Sequence, residues 1–162
     1  MLKADPSRLT RAIKQTKPFQ GPEHEVFVGL QRAASELAQG VIELLKPVGL
    51  SASQYNVLRI LRGSGKRGLS CGEIGDRLVA RDPDITRLLD RMEGQGLVSR
   101  ARDEADRRVV TTRITAAGLA LLHGLDEAVA GVHRKQLGHL GPSRLRQLNE
   151  LLQAVIKPVT QV

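Results

Sequence analysis

The stretch Arg81–Gly94, RDPDITRLLDRMEG, decides how the rest of the chain is read. Ile85, Leu88, Leu89 and Met92 recur at helical spacing and make a buried stripe, which leaves Thr86, Arg87, Asp90 and Arg91 facing outward. Arg87 and Arg91 stand at i and i+4, one turn apart, so they reach one surface together. Either they pair with Asp84, Asp90 or Glu93 on a solvated helix, or they face a ligand. Asp82 as N-cap and Pro83 at the first helical position are the expected start.

The neighbouring segments narrow the choice. LSCGEIGDRLV (69–79) carries a capping box, Ser70 with Glu73, ahead of buried Ile74 and Leu78. SASQYNVLRILRGSG (51–65) repeats the device with Ser51 and Gln54, then runs through Val57, Leu58, Ile60 and Leu61 to a stop at Gly63. Beyond Gly96 the period changes. LVSRAR (97–102) and VVTTRIT (109–115) are short and β-branched, with the polar loop DEADRR between them, so a hairpin is expected.

Long helices flank this block. Val26, Leu30, Ala33, Leu37, Val41 and Leu44 step by three and four until Pro47 and Gly49 end the pattern. Thr115 caps a second long helix through Leu119, Leu122, Leu125, Val129 and Val132, which LGHLGP (137–142) breaks. A last helix starts at Pro142 and uses Leu145, Leu148, Leu152 and Val155 before Pro158. The expected fold is mainly α with a small β-hairpin wing: a winged helix-turn-helix lobe over 51–115, helical regions over 21–50 and 116–162, and a basic extension over 1–20. The flanking stripes, Leu30, Leu37, Val41, Leu148, Leu152 and Val155, hold more apolar surface than one small lobe can cover, so they are read as dimerisation helices.

Composition excludes several classes. The 162 residues are 41% apolar but only 2% aromatic, and no apolar run approaches the roughly 18 to 20 residues a bilayer requires. Without a membrane span or a secretory signal, a cytoplasmic location is expected. Cys71, the single cysteine, excludes an intramolecular disulfide, and His24, His123, His133 and His139 lack metal-ligand spacing. No nucleophile, acid/base or phosphate-loop pattern emerges; GSGKRG (63–68) lacks the spacing of a phosphate loop and is a connector. Neither an enzyme nor a metal or cofactor site is expected.

A net charge of +8 favours a polyanionic partner. Residues 66–115 hold eleven Lys/Arg against nine Asp/Glu, so placement matters there more than total charge. In a helix-turn-helix the second helix enters the major groove of duplex DNA, and here that is the opening stretch. Arg87 and Arg91 suit guanine edges or phosphates. Arg107 and Arg108 at the hairpin tip either enter a minor groove or are neutralised by Asp103 and Asp106. Cys71 opens a helix, where its thiol is either redox-sensitive or a small buried packing group.

LSCGEIGDRLVARDPDITRLLDRMEGQGLVSRARDEADRRVVTTRITAAG (69–118) resembles the MarR-type transcriptional regulators. The resemblance is carried by TRLLDRMEGQGLVSR (86–100), Asp106–Arg108 in the wing and ITAAG (114–118) opening the next helix. It implies a homodimer with intertwined terminal helices, two lobes on a pseudo-palindromic operator, and a repressor relieved by a small aromatic or phenolic effector bound between dimerisation helices and DNA lobe. By position, Thr86 and Arg87 match groove-facing residues and Arg108 the wing arginine, with Arg107 an additional candidate. Pro83 and Asp84 stand where small hydroxyl residues are usual, so Asp84 either accepts from a cytosine amino group or only caps the helix. Tyr55 and Arg59 are the candidates for lining an effector pocket. The basic tail, with Leu9, Ala12 and Ile13 at helical spacing, packs on the partner subunit or meets flanking DNA. Two other readings stand beside this one: a winged-helix protein-interaction module without DNA binding, motivated by Asp84, Asp90 and Glu93, and a redox regulator acting through Cys71.

Overall fold

The structure, a computed structural model, describes residues 8–80, 84–102 and 110–156. The chain divides into two compact units, Met1–Gly40 and Val41–Val162. In the first, α1 (Arg8–Ala12) is little more than a turn, and Leu9 lies against Gly29 of α2 (Pro22–Leu45). Pro22 opens α2, where a missing N–H costs nothing, and Glu23 and Glu25 sit at the positive end of the helix dipole. Phe19 meets His24 edge-on with ring centres 5.4 Å apart. None of the described residues of this unit is buried, and Val26 and Phe27 are 58% and 60% exposed. Lys3 lies outside the described residues.

The second unit begins in the last turn of α2, whose Leu45 is fully buried. Gly49 ends the following turn with φ 69°. The Ser51–Gln54 capping box forms as expected, Ser51 N–H donating to Gln54 Oε1 at 2.9 Å and Gln54 N–H to Ser51 Oγ at 3.1 Å. It starts α3 (Ala52–Ser64), which buries Tyr55, Val57, Leu58 and Leu61. The helix passes Gly63 and stops at Gly65, whose positive φ of 61° ends the helical path. Ser70 and Glu73 make the second box and start α4 (Cys71–Gly75). This helix is short: Leu78, expected on its buried face, lies beyond its end and is only half-buried, while Val79 N–H donates to Asn56 Oδ1 at 2.9 Å.

The hairpin is present as β2 (Val98–Arg102) and β3 (Val110–Ile114), antiparallel from Val98–Ile114 to Arg102–Val110. A strand too short for any periodic signal, β1 (Leu69–Ser70), pairs with the other edge of β3, giving a three-stranded sheet of order β1-β3-β2. Thr115 caps α6 (Ala116–Leu137) by accepting from Gly118 N–H at 3.0 Å. Its hydroxyl also donates to Gly96 O at 2.7 Å, pinning the helix start to the turn after the opening stretch. Leu122, Leu125 and Val129 of α6 join Leu58, Leu61, Ile74, Leu89 and Met92 in the core. The last helix, α7 (Gly141–Ile156), has no buried residue; Leu151 and Val155 are each 66% exposed. No helix among the described residues is long and apolar enough to cross a membrane.

Candidate nucleic-acid interface

Helix α5 (Ile85–Gly94) starts at Asp84, not at Asp82. The Asp84 carboxylate accepts from Arg87 N–H at 3.3 Å, so the cap lies closer to the helix than the first Asp of DPD suggests. Asp82 and Pro83 lie outside the described residues. Leu88, Leu89 and Met92 are buried and Ile85 is half-buried, which turns Thr86, Arg87, Asp90 and Arg91 to solvent as the spacing predicts.

Two polar contacts set the tilt of α5. At its end, Gln95 Oε1 accepts from buried Gln54 Nε2 of α3 at 2.9 Å. At its start, the Thr86 hydroxyl meets the Cys71 sulfur of α4 at 3.9 Å. The half-buried thiol therefore packs between the two helices of the helix-turn-helix pair. This part-buried bond resists rotation because breaking it leaves the buried Gln54 amide without its partner.

The charged residues of α5 pair in a way that sequence reasoning missed. Asp90 and Glu93 do not engage Arg87 or Arg91. Both are taken by Arg100 of β2: Nε donates to Glu93 Oε2 at 2.8 Å, Nη2 to Asp90 Oδ1 at 2.5 Å, and the Arg100 N–H to Glu93 Oε1 at 2.9 Å. Arg100 is 25% exposed, and these bonds hold the Glu93 carboxyl below the usual glutamate range and push the guanidinium up. The available signal was alternation. An arginine on the inward side of β2, two residues after buried Val98, requires an acid nearby.

Two arginines of α5 are left clear of Asp90 and Glu93. Arg87 is 81% exposed, with Nε 3.3 Å from Asp84 Oδ2, a weak surface pair. Arg91 is exposed and has no partner among the described residues, and Arg102 at the far end of β2 is exposed likewise. Arg107 and Arg108, the expected wing arginines, lie outside the described residues together with Asp103 and Asp106. Tyr55 and Arg59 are placed together on α3, the guanidinium 5.9 Å from the ring centre, with Tyr55 in the core. Among the described residues no His, Cys, Asp or Glu group can hold a metal ion.

Residues 50–110 match the MarR family. The chain is 30% identical over 129 residues to the HTH-type transcriptional repressor IacR of Pseudomonas putida, covering 80% of this chain and 76% of that one. It is 40% identical to a MarR transcription factor of Planctomyces limnophilus whose crystal structure superposes with a TM-score of 0.64, covering 85% of this chain and 99% of the other. BpsR of Bordetella bronchiseptica, whose DNA binding is regulated by 6-hydroxynicotinic acid, is 22% identical with a TM-score of 0.76, covering 87% and 99%, and shares the fold.

Proposed function

The chain belongs to the MarR family of transcriptional regulators, and from that premise we propose that it is a homodimeric repressor whose two lobes each engage one half-site of an operator. The lobe is residues 51–115, with α5 in the major groove: Arg87 and Arg91 face base edges or phosphates, Thr86 stands beside them in the first turn, and Arg107 and Arg108 follow the backbone into the minor groove. Asp84 starts the helix. A second copy covers the apolar side chains of α2 and α7, including Val26, Phe27, Leu151 and Val155, each more than half exposed in the single chain.

One observation carries this reading: Arg100 engages both acids in the middle of α5, which leaves Arg87 and Arg91 on the outward face of that helix free of them and open to a polyanion. The same observation weighs against a protein-interaction module without DNA binding, whose motivation was those acids. Relief by a small aromatic compound is part of the proposal, by analogy with the regulation of BpsR.

The test is selection of genomic fragments bound at physiological salt, followed by gel shifts of Arg87→Ala and Arg108→Ala at fixed salt. Each substitution is expected to weaken operator binding by about tenfold to a hundredfold with helical content intact. Binding that neither substitution weakens would sink the reading.

A further inference from the structure

Residues 8–20 carry Arg8, Arg11, Lys14 and Lys17 and no acid. All four cations are exposed, whereas Leu9, Ile13 and Phe19 are half-buried, so the segment has a covered apolar side and an open cationic one. It is anchored at both ends. Near its start, Leu9 lies against Gly29 of α2, where an added Cβ would stand 3.5 Å from Leu9 Cδ2. At its far end, Gln20 N–H donates to His24 Nδ1 at 3.3 Å, and Phe19 meets the same ring edge-on. Between these anchors Lys14, the one non-glycine with positive φ among the described residues, takes φ 54° and ends α1. Its N–H donates to Arg11 O at 3.3 Å and Gln15 N–H to Thr10 O at 2.9 Å, the pair of bonds that closes a helix end around a left-handed residue.

An ordered face of four like charges calls for a polyanion. The balance of charge along the chain says which. Residues 1–20 hold five Lys/Arg against one Asp, half of the net charge of +8, whereas 66–115, which include α5, hold eleven against nine. Affinity for duplex DNA comes largely from the phosphates that a protein neutralises, and discrimination comes from base edges. The lobe therefore has side chains to discriminate with but little net charge to attract with. We propose that Arg8, Arg11, Lys14 and Lys17 form a second, sequence-independent contact to the phosphate backbone of the duplex that α5 reads; this assignment rests on the regulator reading above. The two contacts divide the work: α5 selects the sequence, and the N-terminal segment supplies a large part of the salt-dependent attraction. Because the segment is already anchored on α2, it has less freedom to lose on binding than an unanchored chain would.

The full chain and its variant Arg8→Gln/Arg11→Gln/Lys14→Gln/Lys17→Gln are titrated against operator and against an unrelated duplex by fluorescence anisotropy over a salt series. The logarithm of wild-type affinity is expected to fall linearly with the logarithm of salt concentration. The variant's slope is expected to be shallower by at least about 2 per dimer, since each lost phosphate contact removes about 0.9. At about 0.1 M salt the variant is expected to lose at least about tenfold on both duplexes, so its preference for operator is kept, unlike that of Arg87→Ala. The charge-keeping variant Arg8→Lys/Arg11→Lys/Lys14→Arg/Lys17→Arg is expected to retain the wild-type slope. An unmoved slope in the Gln variant, a loss confined to operator, or a charge-keeping variant as weak as the Gln variant overturns the proposal. So does loss of the dimer by the Gln variant in sedimentation, which would place the segment in the subunit interface. Wild type that binds no duplex at any salt defeats the regulator reading and this one with it; wild type that binds with a slope the substitutions leave unmoved defeats this one alone.

Discussion

Arg100 of β2 joins Asp90 and Glu93 of α5 through one guanidinium, with Nη2 2.5 Å from Asp90 Oδ1 and 2.7 Å from Glu93 Oε2. The strand that follows α5 thus restrains the helix and offsets one of the two negative charges together. Without Arg100, two carboxylates would stand on a surface that meets a polyanion. Arg100→Gln is expected to weaken operator binding by about tenfold or more, comparable to loss of a direct phosphate contact, although Arg100 itself points into the protein. Adding Asp90→Asn and Glu93→Gln to that variant should recover part of the loss. Fluorescence anisotropy at fixed salt checks both; a single variant that binds like wild type removes the role assigned to Arg100.

Asp84 caps α5 and lies 3.3 Å from the Arg87 guanidinium, so its two possible duties separate by substitution. Asn retains a cap but not the charge. Asp84→Asn is expected to raise affinity for operator and unrelated duplex alike, because repulsion is removed and Arg87 is released. Asp84→Ala, which loses the cap, should cost about 0.5–2 kcal/mol of stability by urea unfolding. If Asp84→Asn instead loses affinity only for operators carrying a cytosine at one position, Asp84 reads a base.

These two residues also mark how far the sequence could be read. The start of α3 was legible because Ser51 and Gln54 name both partners of a local exchange, and the buried stripe of α5 because its period needs no distant information. The start of α5 was misplaced because DPD offers two aspartates at cap-like positions, and only backbone geometry chooses Asp84. β1 escaped because two residues carry no period; it exists because β3 has an open edge beside Leu69 and Ser70. The outward-facing residues of α5 follow by elimination from the core, whereas alternation along β2 calls for an acid near Arg100 without naming which, because the contact crosses a turn. For the same reason Asp90 and Glu93 looked like a cost to DNA binding until their partner was seen.

Among the described residues three carboxyls are held below the usual range: Glu73 by the Ser70 backbone N–H and hydroxyl, Glu93 by Arg100, and Asp126 by Arg62. A carboxyl depressed by folding stabilises the fold above its unfolded value, and that contribution is lost as pH falls through the depressed one. Stability should therefore be level from neutral pH down to the ordinary carboxylate range, about pH 4, and decline below it. The deficit of Arg100→Gln relative to wild type should shrink over the same interval, since protonated Glu93 no longer rewards the guanidinium. Urea midpoints at a series of pH values measure both; a deficit that grows on acidification contradicts the assignment.

Glycines give the last test, because three of them differ in what a methyl group would meet and in whether the backbone tolerates one. Gly68 precedes β1 with φ 70°, and a Cβ there would lie 2.6 Å from both the Thr112 carbonyl oxygen and Arg113 Cγ. Backbone strain and collision act together at this position, and the colliding oxygen belongs to the central strand, which cannot retreat without losing pairs on both sides. Gly118 has helical geometry in α6, but its Cβ would drive into the Leu97 carbonyl oxygen and stand 2.9 Å from Ile114 Cγ1. Gly63 on α3 meets nothing within 4 Å. Substitution by Ala should therefore cost about 1–3 kcal/mol at Gly118 by overpacking, more at Gly68, and at Gly63 should stabilise by up to about 1 kcal/mol through helix propensity. Thermal unfolding orders the three variants. Because Gly68 and Gly118 anchor the two ends of the segment that carries β1, α5, β2 and β3, their variants should also lose operator affinity, while Gly63→Ala binds as wild type.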